Sequence, residues 1–334
     1  MITPGVIRRS LAVLVLVAAT APVAAQMPHE TYTNLKVLPK EIQPGQLREL
    51  MNSFTRALGV RCLYCHVGEE GKPIRPQDFA LDDKPTKLKA RAMMTMVRDL
   101  NDKYLASLES RADPPVRVEC ATCHRGTAQP RMLQDVLKTA YDTGGIDSTL
   151  ARYQSLRDRY YGRFTYDFGE VPLADLAGQL GEGGHAEDAA RLLALNVEMN
   201  PKSPFAKRQL AAASIFDAFR KGGADSGTAA YRGFKNQYGP TIVSEEIMNN
   251  VGYRLLAADQ VESAIAVFKL NAADHSTSAN VYDSLGEAYA THGDWKLAAD
   301  SYLKSLELNP ANENAKQKLD EIKVQSKGKT KKSR

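Results

Sequence analysis

Two copies of the motif Cys-X-X-Cys-His, at residues 62–66 and 120–124, carry the most distinctive chemistry in this sequence. They use every cysteine of the chain, and the side chains concerned are Cys62, Cys65, His66, Cys120, Cys123 and His124. This spacing is the attachment signature of c-type haem, because two thiols one helical turn apart can form thioether bonds to the porphyrin while the next imidazole reaches the iron. The motifs therefore predict two covalently attached c-type haems, each with the histidine of its motif as proximal iron ligand.

Other uses of paired cysteines fit the sequence less well. A thioredoxin-type redox pair follows a strand of a βαβ unit, whereas both motifs lie among helical patterns. A four-cysteine zinc site, or two disulfides, would use all four thiols but would give no reason for a histidine after each pair. Haem attachment accounts for the histidines as well as the cysteines.

Haem iron that carries electrons is normally six-coordinate, so each motif needs a second axial ligand from elsewhere in the chain. Before the first motif, apolar residues at helical spacing include Met51, and Gly59 ends that helix. Met51 could be the ligand or an ordinary core methionine. Before the second motif, a helix expected over residues 86–108 carries Met96, which is the first candidate for the second iron. His29 is its rival.

The sequence resembles the C-terminal half of the cytochrome c subunit of photosynthetic reaction centres, at residues 50–66, 96–101 and 120–126. In that family a methionine-bearing helix precedes each of the first three haem motifs, and Met51 falls on the matching ligand position. The family's last haem takes a histidine from an N-terminal half that has no counterpart here, so the second iron's ligand stays open. The resemblance covers about residues 35–135 and implies haem binding and electron transfer.

A different pattern follows after about residue 140. Two segments match at a constant offset of 34 residues, with Val251, Gly252, Leu255, Ala264 and Phe268 aligned to Leu285, Gly286, Tyr289, Ala298 and Tyr302. This is the tetratricopeptide pattern, in which small residues allow two helices to cross closely and large ones fill the groove. Residues 176–201 fit an earlier copy, and residues 205–238 fit a degenerate one. Such repeats stack and usually bind a peptide or protein, so they predict a docking surface.

Both ends of the chain are basic, and they account for the formal net charge of +5. Residues 1–25 have a basic start, an apolar run and small residues before the expected cleavage point, which is typical of a secretory signal peptide. Residues 323–334 are expected to form a disordered basic tail that could contact an anionic membrane. The body between them is slightly acidic, which argues against nucleic-acid binding.

These features predict an all-α protein in four parts: a signal peptide (1–25), a di-haem cytochrome c domain (26–140), a helical tetratricopeptide domain (141–322) and the tail (323–334). We expect an exported, periplasmic electron carrier, not an enzyme, that meets redox protein partners and could lie peripheral to the inner membrane. Two alternatives stay open. One is a haem enzyme of peroxidase or reductase type with an open position at the second iron. The other is a repeat-based adaptor with a structural or sensory haem.

Overall fold

The computed structural model describes residues 32–110 and 112–332, and every regular element within those ranges is helical. The all-α fold class is therefore confirmed. The signal peptide expected over residues 1–25 and the candidate ligand His29 lie outside the described residues. None of the helices in the described part of the chain is both long enough and apolar enough to span a bilayer.

The chain divides into two units, one that ends at Thr122 and one that begins at Cys123. The helical elements of the N-terminal unit are α1 (Pro44–Leu58), a 3-10 turn (Cys62–Tyr64), a second 3-10 turn (Pro76–Ala80), α2 (Pro85–Asp99) and a π-helical turn (Leu100–Leu105). Gly59 ends α1 with φ of 64°, in the left-handed region that favours glycine. The short helix α3 (Cys120–His124) contains the division between the units.

The N-terminal unit has very little apolar interior. Among its described residues, Ala57 is the one apolar side chain that is buried. The other buried side chains of this unit are polar or charged, namely Asp78, Lys87 and Asn101. Its internal contacts therefore come largely from hydrogen bonds and ion pairs.

The C-terminal unit consists of stacked helices with two apolar clusters. Its helices are α4 (Leu133–Tyr160), α5 (Glu170–Glu182), α6 (Ala186–Met199), α7 (Pro204–Tyr238), α8 (Glu245–Ala257), α9 (Val261–Asp274), α10 (Ala279–His292), α11 (Trp295–Leu308) and α12 (Glu313–Lys332). Consecutive helices pack as the pairs α5 with α6, α8 with α9 and α10 with α11. This is the hairpin arrangement that the 34-residue pattern predicts.

The aligned glycines explain why the helices of each pair cross so closely. A Cβ on Gly252 of α8 would lie 2.4 Å from the ring of Phe268 on α9. At the offset of 34 residues, a Cβ on Gly286 of α10 would lie 2.9 Å from the ring of Tyr302 on α11. Both aromatic side chains are fully buried. The tetratricopeptide assignment of these two repeats is confirmed by this repeated contact.

The degenerate repeat uses the same contact in reverse. α7 is broken at Gly223, whose φ of 64° and ψ of −159° are not helical, so its two halves form a helical pair. Here the ring of Phe219 lies on the first half, and a Cβ on Gly227 of the second half would come within 2.1 Å of it. The ring and the glycine have exchanged helices, which explains why the sequence matches the repeat pattern poorly over residues 205–238.

Two boundaries differ from those expected. The repeat unit begins before residue 140, because Leu133 and Leu137 of α4 are buried in the apolar cluster that also contains Leu173 of α5. At the other end, α12 continues through residues expected to form a disordered tail. Its first turns are held by Ala315 and Leu319, which are buried in the second apolar cluster.

Candidate haem sites

The first motif is shaped by a tight turn that follows α1. The backbone N–H groups of Cys65 and His66 both donate to the carbonyl of Cys62, at 3.2 and 2.9 Å. Cys62 is exposed and Cys65 is half-buried, and burial raises the pKa of the Cys65 thiol. No disulfide joins the four cysteines, all of which lie in the described residues. The turn thus presents both thiols of the motif, with His66 directly after them.

The first turn of α2 is tied to the two residues between these cysteines. The Lys84 ammonium donates to the carbonyl of Leu63, and the Thr86 hydroxyl donates to the carbonyl of Tyr64. Both donors come from a segment some twenty residues further along the chain. The conformation of the first motif therefore depends on how α2 starts.

His66 packs against an aromatic ring and away from water. Its imidazole meets Phe79 edge to face, with ring centroids 5.0 Å apart and an interplanar angle of 69°. Burial lowers the pKa of His66, and the positive charge of Lys87 adds to this effect. The ring is therefore held neutral, which is the form that binds a metal. Its Nδ1 is buried and has no hydrogen-bond partner among the described residues.

A cluster of charged side chains surrounds Asp82, close to the first motif. Its members, which we call the Asp82 cluster, are Asn34, Lys36, Asp82, Lys87 and Arg91. The carboxylate of Asp82 lies 2.8 Å from Arg91, 2.9 Å from Lys36, 3.2 Å from Lys87 and 3.0 Å from the amide nitrogen of Asn34. The bonds from Arg91 and Lys36 hold the pKa of Asp82 well below its usual range. This carboxylate stays charged throughout the range in which the protein would work.

The second motif is positioned by the amide of Asn101, which is buried. Its nitrogen donates to the carbonyl of Val118 at 2.8 Å, and its oxygen accepts from the N–H of the same residue at 2.9 Å. The nitrogen also donates to the carbonyl of Val97 at 2.9 Å. Val118 lies two residues before Cys120, so Asn101 fixes the approach of the chain to the second motif.

His124 has a partner that orients its ring. Its Nδ1 lies 2.9 Å from the carbonyl of Thr127, an acceptor that requires the proton to be on Nδ1. Nε2 then keeps its lone pair. This is the usual arrangement of a metal-binding histidine, because the hydrogen bond fixes the tautomer and makes the ring a better donor of electron density.

The two candidate methionines lie on the helices expected from the sequence. Met51 is on α1 and is half-buried, whereas Met96 is on α2 and is 43% exposed. α2 begins at the first motif, through Lys84 and Thr86, and continues into the turn whose Asn101 reaches the segment before the second motif. The helix that carries Met96 is thus connected to both motifs.

The exposed apolar side chains of the N-terminal unit fit the binding of a large apolar group. A unit with one buried apolar residue would normally cover such side chains, and a porphyrin face would do so. Those that are left more than a third exposed include Tyr64, Phe79, Leu88, Met93, Met96 and Tyr104. Together with the neutral His66 and the oriented His124, they make the residues present compatible with covalent haem.

Sequence reasoning missed the residues that position the motifs. Lys84, Thr86, Lys87 and Asp82 were not singled out, and Asn101 appeared only within the matched run 96–101. The one sequence signal for them is indirect: a lysine and an arginine at the spacing of Lys87 and Arg91 lie on the same face of a helix. Nothing in the sequence indicates that Asp82 is their common partner.

Comparisons with known proteins agree with the geometry of the N-terminal unit. Residues 8–150 match the family described as photosynthetic reaction centre cytochrome C subunit. The photosynthetic reaction center cytochrome c subunit of Thermochromatium tepidum is 33% identical over 104 residues, which are 30% of this chain and 22% of that protein. Cytochrome c-554 of Chloroflexus aurantiacus is 40% identical over 68 residues, which are 20% of this chain and 14% of that protein. The chain thus spans a quarter or less of the length of these two relatives.

Solved structures with related helical architecture include MamA from Desulfovibrio magneticus RS-1, with a TM-score of 0.31 and 17% identity over 48% of this chain and 87% of that one. The Cut9–Hcn1 hetero-tetramer has a TM-score of 0.30 and 15% identity, over 57% of this chain and 35% of that one. Both TM-scores are low, so the repeat assignment depends on the glycine and aromatic contacts described above. Over residues 8–150 the chain is therefore similar to the reaction-centre cytochrome c subunit family, and it continues into tetratricopeptide repeats.

Proposed function

We propose that this protein is an exported di-haem c-type cytochrome that carries single electrons and docks a protein partner through its repeats. The observation that carries the proposal is the pair of motifs whose histidines are prepared for iron, His66 by burial in the neutral form and His124 by its bond to the carbonyl of Thr127. The similarity to reaction-centre cytochrome c subunits supports the same chemistry. A photosynthetic role is not part of the proposal, because the similarity covers only the first part of the chain.

Each proposed site residue has one role. Cys62 and Cys65 would hold the first haem by thioether bonds, and Cys120 and Cys123 the second. His66 and His124 would be the proximal ligands. On the opposite sides we assign Met51 to the first iron and Met96 to the second, with His29 as the alternative to Met96. When bound, haem supplies an iron that accepts and releases one electron while its ligands stay in place.

The rest of the unit keeps the ligands in position. Lys84 and Thr86 hold the turn between the first two thiols, and Asn101 holds the chain before the second pair. Phe79 packs on the edge of His66 and excludes water from it. Ligands that are fixed in this way need little rearrangement when the charge on the iron changes, which suits electron transfer.

The repeats and the termini suggest where the carrier works. Stacked helical pairs offer an extended surface for another protein, so we assign the docking of a redox partner to the C-terminal unit. The first 25 residues support export to the periplasm. The basic residues from 323 onwards would favour contact with anionic lipid at the inner membrane.

The first experiment counts the haems. The full chain, expressed with export and haem-attachment machinery, is examined by the pyridine haemochrome assay and by intact mass. We expect two covalent haems per chain. A count of none, or zinc in place of iron, would overturn the proposal.

A second experiment tests the ligand assigned to the first iron. Met51→Ala is expected to change the spectrum of one haem and to leave the other unaltered, because only one iron loses a ligand. The reduced variant should then bind CO at that iron. Met132→Ala, which removes a methionine that is 61% exposed in the repeat unit, is the control and should change neither haem. A Met51→Ala protein with unaltered spectra would remove Met51 from the ligand set.

A further inference from the structure

The Asp82 cluster contains more positive than negative charge, and most of it is shielded from water. Three cations, Lys36, Lys87 and Arg91, lie within 3.2 Å of the single carboxylate. The Lys87 side chain is 11% exposed and that of Arg91 is 14% exposed, whereas that of Lys36 is 61% exposed. One negative charge against three positive ones leaves an excess of two. Buried charges are screened little by salt, so this excess acts on its surroundings.

Lys87 connects this charge to His66. Its ammonium has three donors, and all three are used: it donates to the carbonyl of Phe79 at 2.8 Å, to the carbonyl of Leu81 at 2.6 Å, and to Asp82. The ring of Phe79 is the one that packs on His66. Lys87 therefore holds the segment that shapes the environment of His66, and it places a cation behind that segment.

Arg91 and Asn34 fix the cluster from the other side. Besides its ion pair with Asp82, Arg91 donates to the carbonyl of Asn34 at 3.0 Å, and the amide of Asn34 donates to the carbonyl of Ala80. Residues 79–82 are thus held from both directions. A movement of the positive charge relative to His66 would break several of these bonds at once.

We propose that the Asp82 cluster raises the reduction potential of the haem that His66 would hold, and that Lys87 is its central positioning residue. The proposal rests on the proposed attachment of haem to the first motif. Ferric haem carries one more positive charge than ferrous haem, so a fixed positive field disfavours the oxidised form and favours uptake of one electron. The same field is visible at His66, where Lys87, Arg91 and Lys84 add to burial in lowering its pKa.

The second haem provides an internal reference. His124 donates to the carbonyl of Thr127, which makes its ring more electron-rich and so favours the oxidised iron. The Asp82 cluster is built on residues of the first unit and holds the loop next to His66, not the segment next to His124. Its removal should shift one potential and not the other.

The test is a spectroelectrochemical titration of the full-length protein, in which the electrode supplies one electron per haem. Lys87→Gln removes the charge, Lys87→Arg keeps it, and Lys89→Gln is the matched control, because Lys89 is an exposed lysine on the same helix. Only proteins that carry two haems by the haemochrome assay are titrated. The double variant Cys120→Ser, Cys123→Ser, which should keep only the first haem, identifies which potential belongs to it.

We expect Lys87→Gln to lower the equilibrium constant for reduction of the first haem about tenfold, as one charge at about 10 Å would in a medium of intermediate polarity. The second haem should not shift, Lys89→Gln should change neither, and Lys87→Arg should restore most of the potential. If Lys87→Gln carries no haem, Lys36→Gln takes its place, since Lys36 contacts the same carboxylate from an exposed position. Its smaller shift in the same direction should decline at high salt.

Two results would overturn the proposal: two attached haems with potentials that neither Lys87→Gln nor Lys36→Gln changes, or equal shifts of both haems. These results are distinct from failure of the proposed function, in which the unaltered chain would carry no haem at all. A shift for Lys87→Gln that Lys87→Arg does not reverse would assign Lys87 a structural role only, and would also overturn the electrostatic proposal.

Discussion

Single polar side chains determine how both motifs are presented. Asn101 makes three hydrogen bonds to backbone groups with one buried amide, and Lys87 makes three with one ammonium. A buried polar group is costly when it loses its partners, so each of these residues is more important than the number of atoms it contributes would indicate. In a unit with little apolar interior, such bonds take the place that packed side chains have elsewhere.

Asn101→Ala should weaken the N-terminal unit and disturb the second haem. The substitution leaves the N–H and the carbonyl of Val118 without partners, which typically costs about 1–3 kcal/mol. Urea unfolding followed through haem absorbance measures the loss, and the spectrum of the second haem should change before unfolding begins.

The control for this change is Asn52→Ala, since Asn52 is exposed on α1. It should alter stability by less than about 0.5 kcal/mol. Equal effects of the two substitutions would mean that Asn101 does not position the second motif.

At the scale of elements, the repeats and the N-terminal helices are built on different principles. The helix pairs α8 with α9 and α10 with α11 are held by a ring on one helix that lies on a glycine of the other. α2 instead connects through its ends, by Lys84 and Thr86 at its start and by the turn with Asn101 after it. The repeats therefore tolerate polar changes on their surface, whereas α2 tolerates few changes near its ends.

Gly252→Ala should destabilise the repeat unit. The added Cβ would meet the Phe268 ring at 2.4 Å, and overpacking of this kind typically costs about 1–3 kcal/mol. Gly233→Ala is the matched control, because Gly233 lies in a helix with nothing within 4 Å of the added atom. Alanine should stabilise that helix by up to about 1 kcal/mol. Thermal unfolding followed by circular dichroism should therefore shift in opposite directions for the two variants, and shifts of the same sign would contradict the packing argument.

At the scale of the whole molecule, the two units differ in what stabilises them. The C-terminal unit has two apolar clusters of its own, whereas the described N-terminal unit has one buried apolar residue. A haem attached by two thioethers would supply the apolar material that the N-terminal unit does not contain. The stability of one unit should then depend on cofactor attachment, and that of the other should not.

Replacement of all four cysteines by serine should separate these contributions. We expect limited proteolysis of this variant to digest the N-terminal unit and to leave a resistant fragment that begins near Cys123, because only the repeats keep a packed core. The haem-loaded protein should resist digestion in both units. Equal resistance of both units in the variant would show that haem does not stabilise the N-terminal unit.

The parts of this fold that the sequence predicts are those with local patterns. The two motifs are contiguous, and the offset between Gly252 and Gly286 repeats within one chain segment, so both are visible without a structure. The Asp82 cluster is not, because Asn34 and Asp82 are 48 residues apart, and Asn34 and Arg91 are 57 apart. The unit boundary before residue 140 was missed for a similar reason, since the apolar face of α4 does not reveal which unit it packs on.

The exchanged contact in α7 has a consequence for how such domains are recognised and redesigned. What the fold requires at a helix crossing is one ring and one missing side chain, and Phe219 with Gly227 meets this requirement as well as Gly252 with Phe268 does. The requirement belongs to the pair and not to either position. A double exchange, with the large residue moved to the first helix and glycine to the second, should therefore be tolerated in repeats where each single change is not, and searches that compare positions one at a time will overlook repeats of this kind.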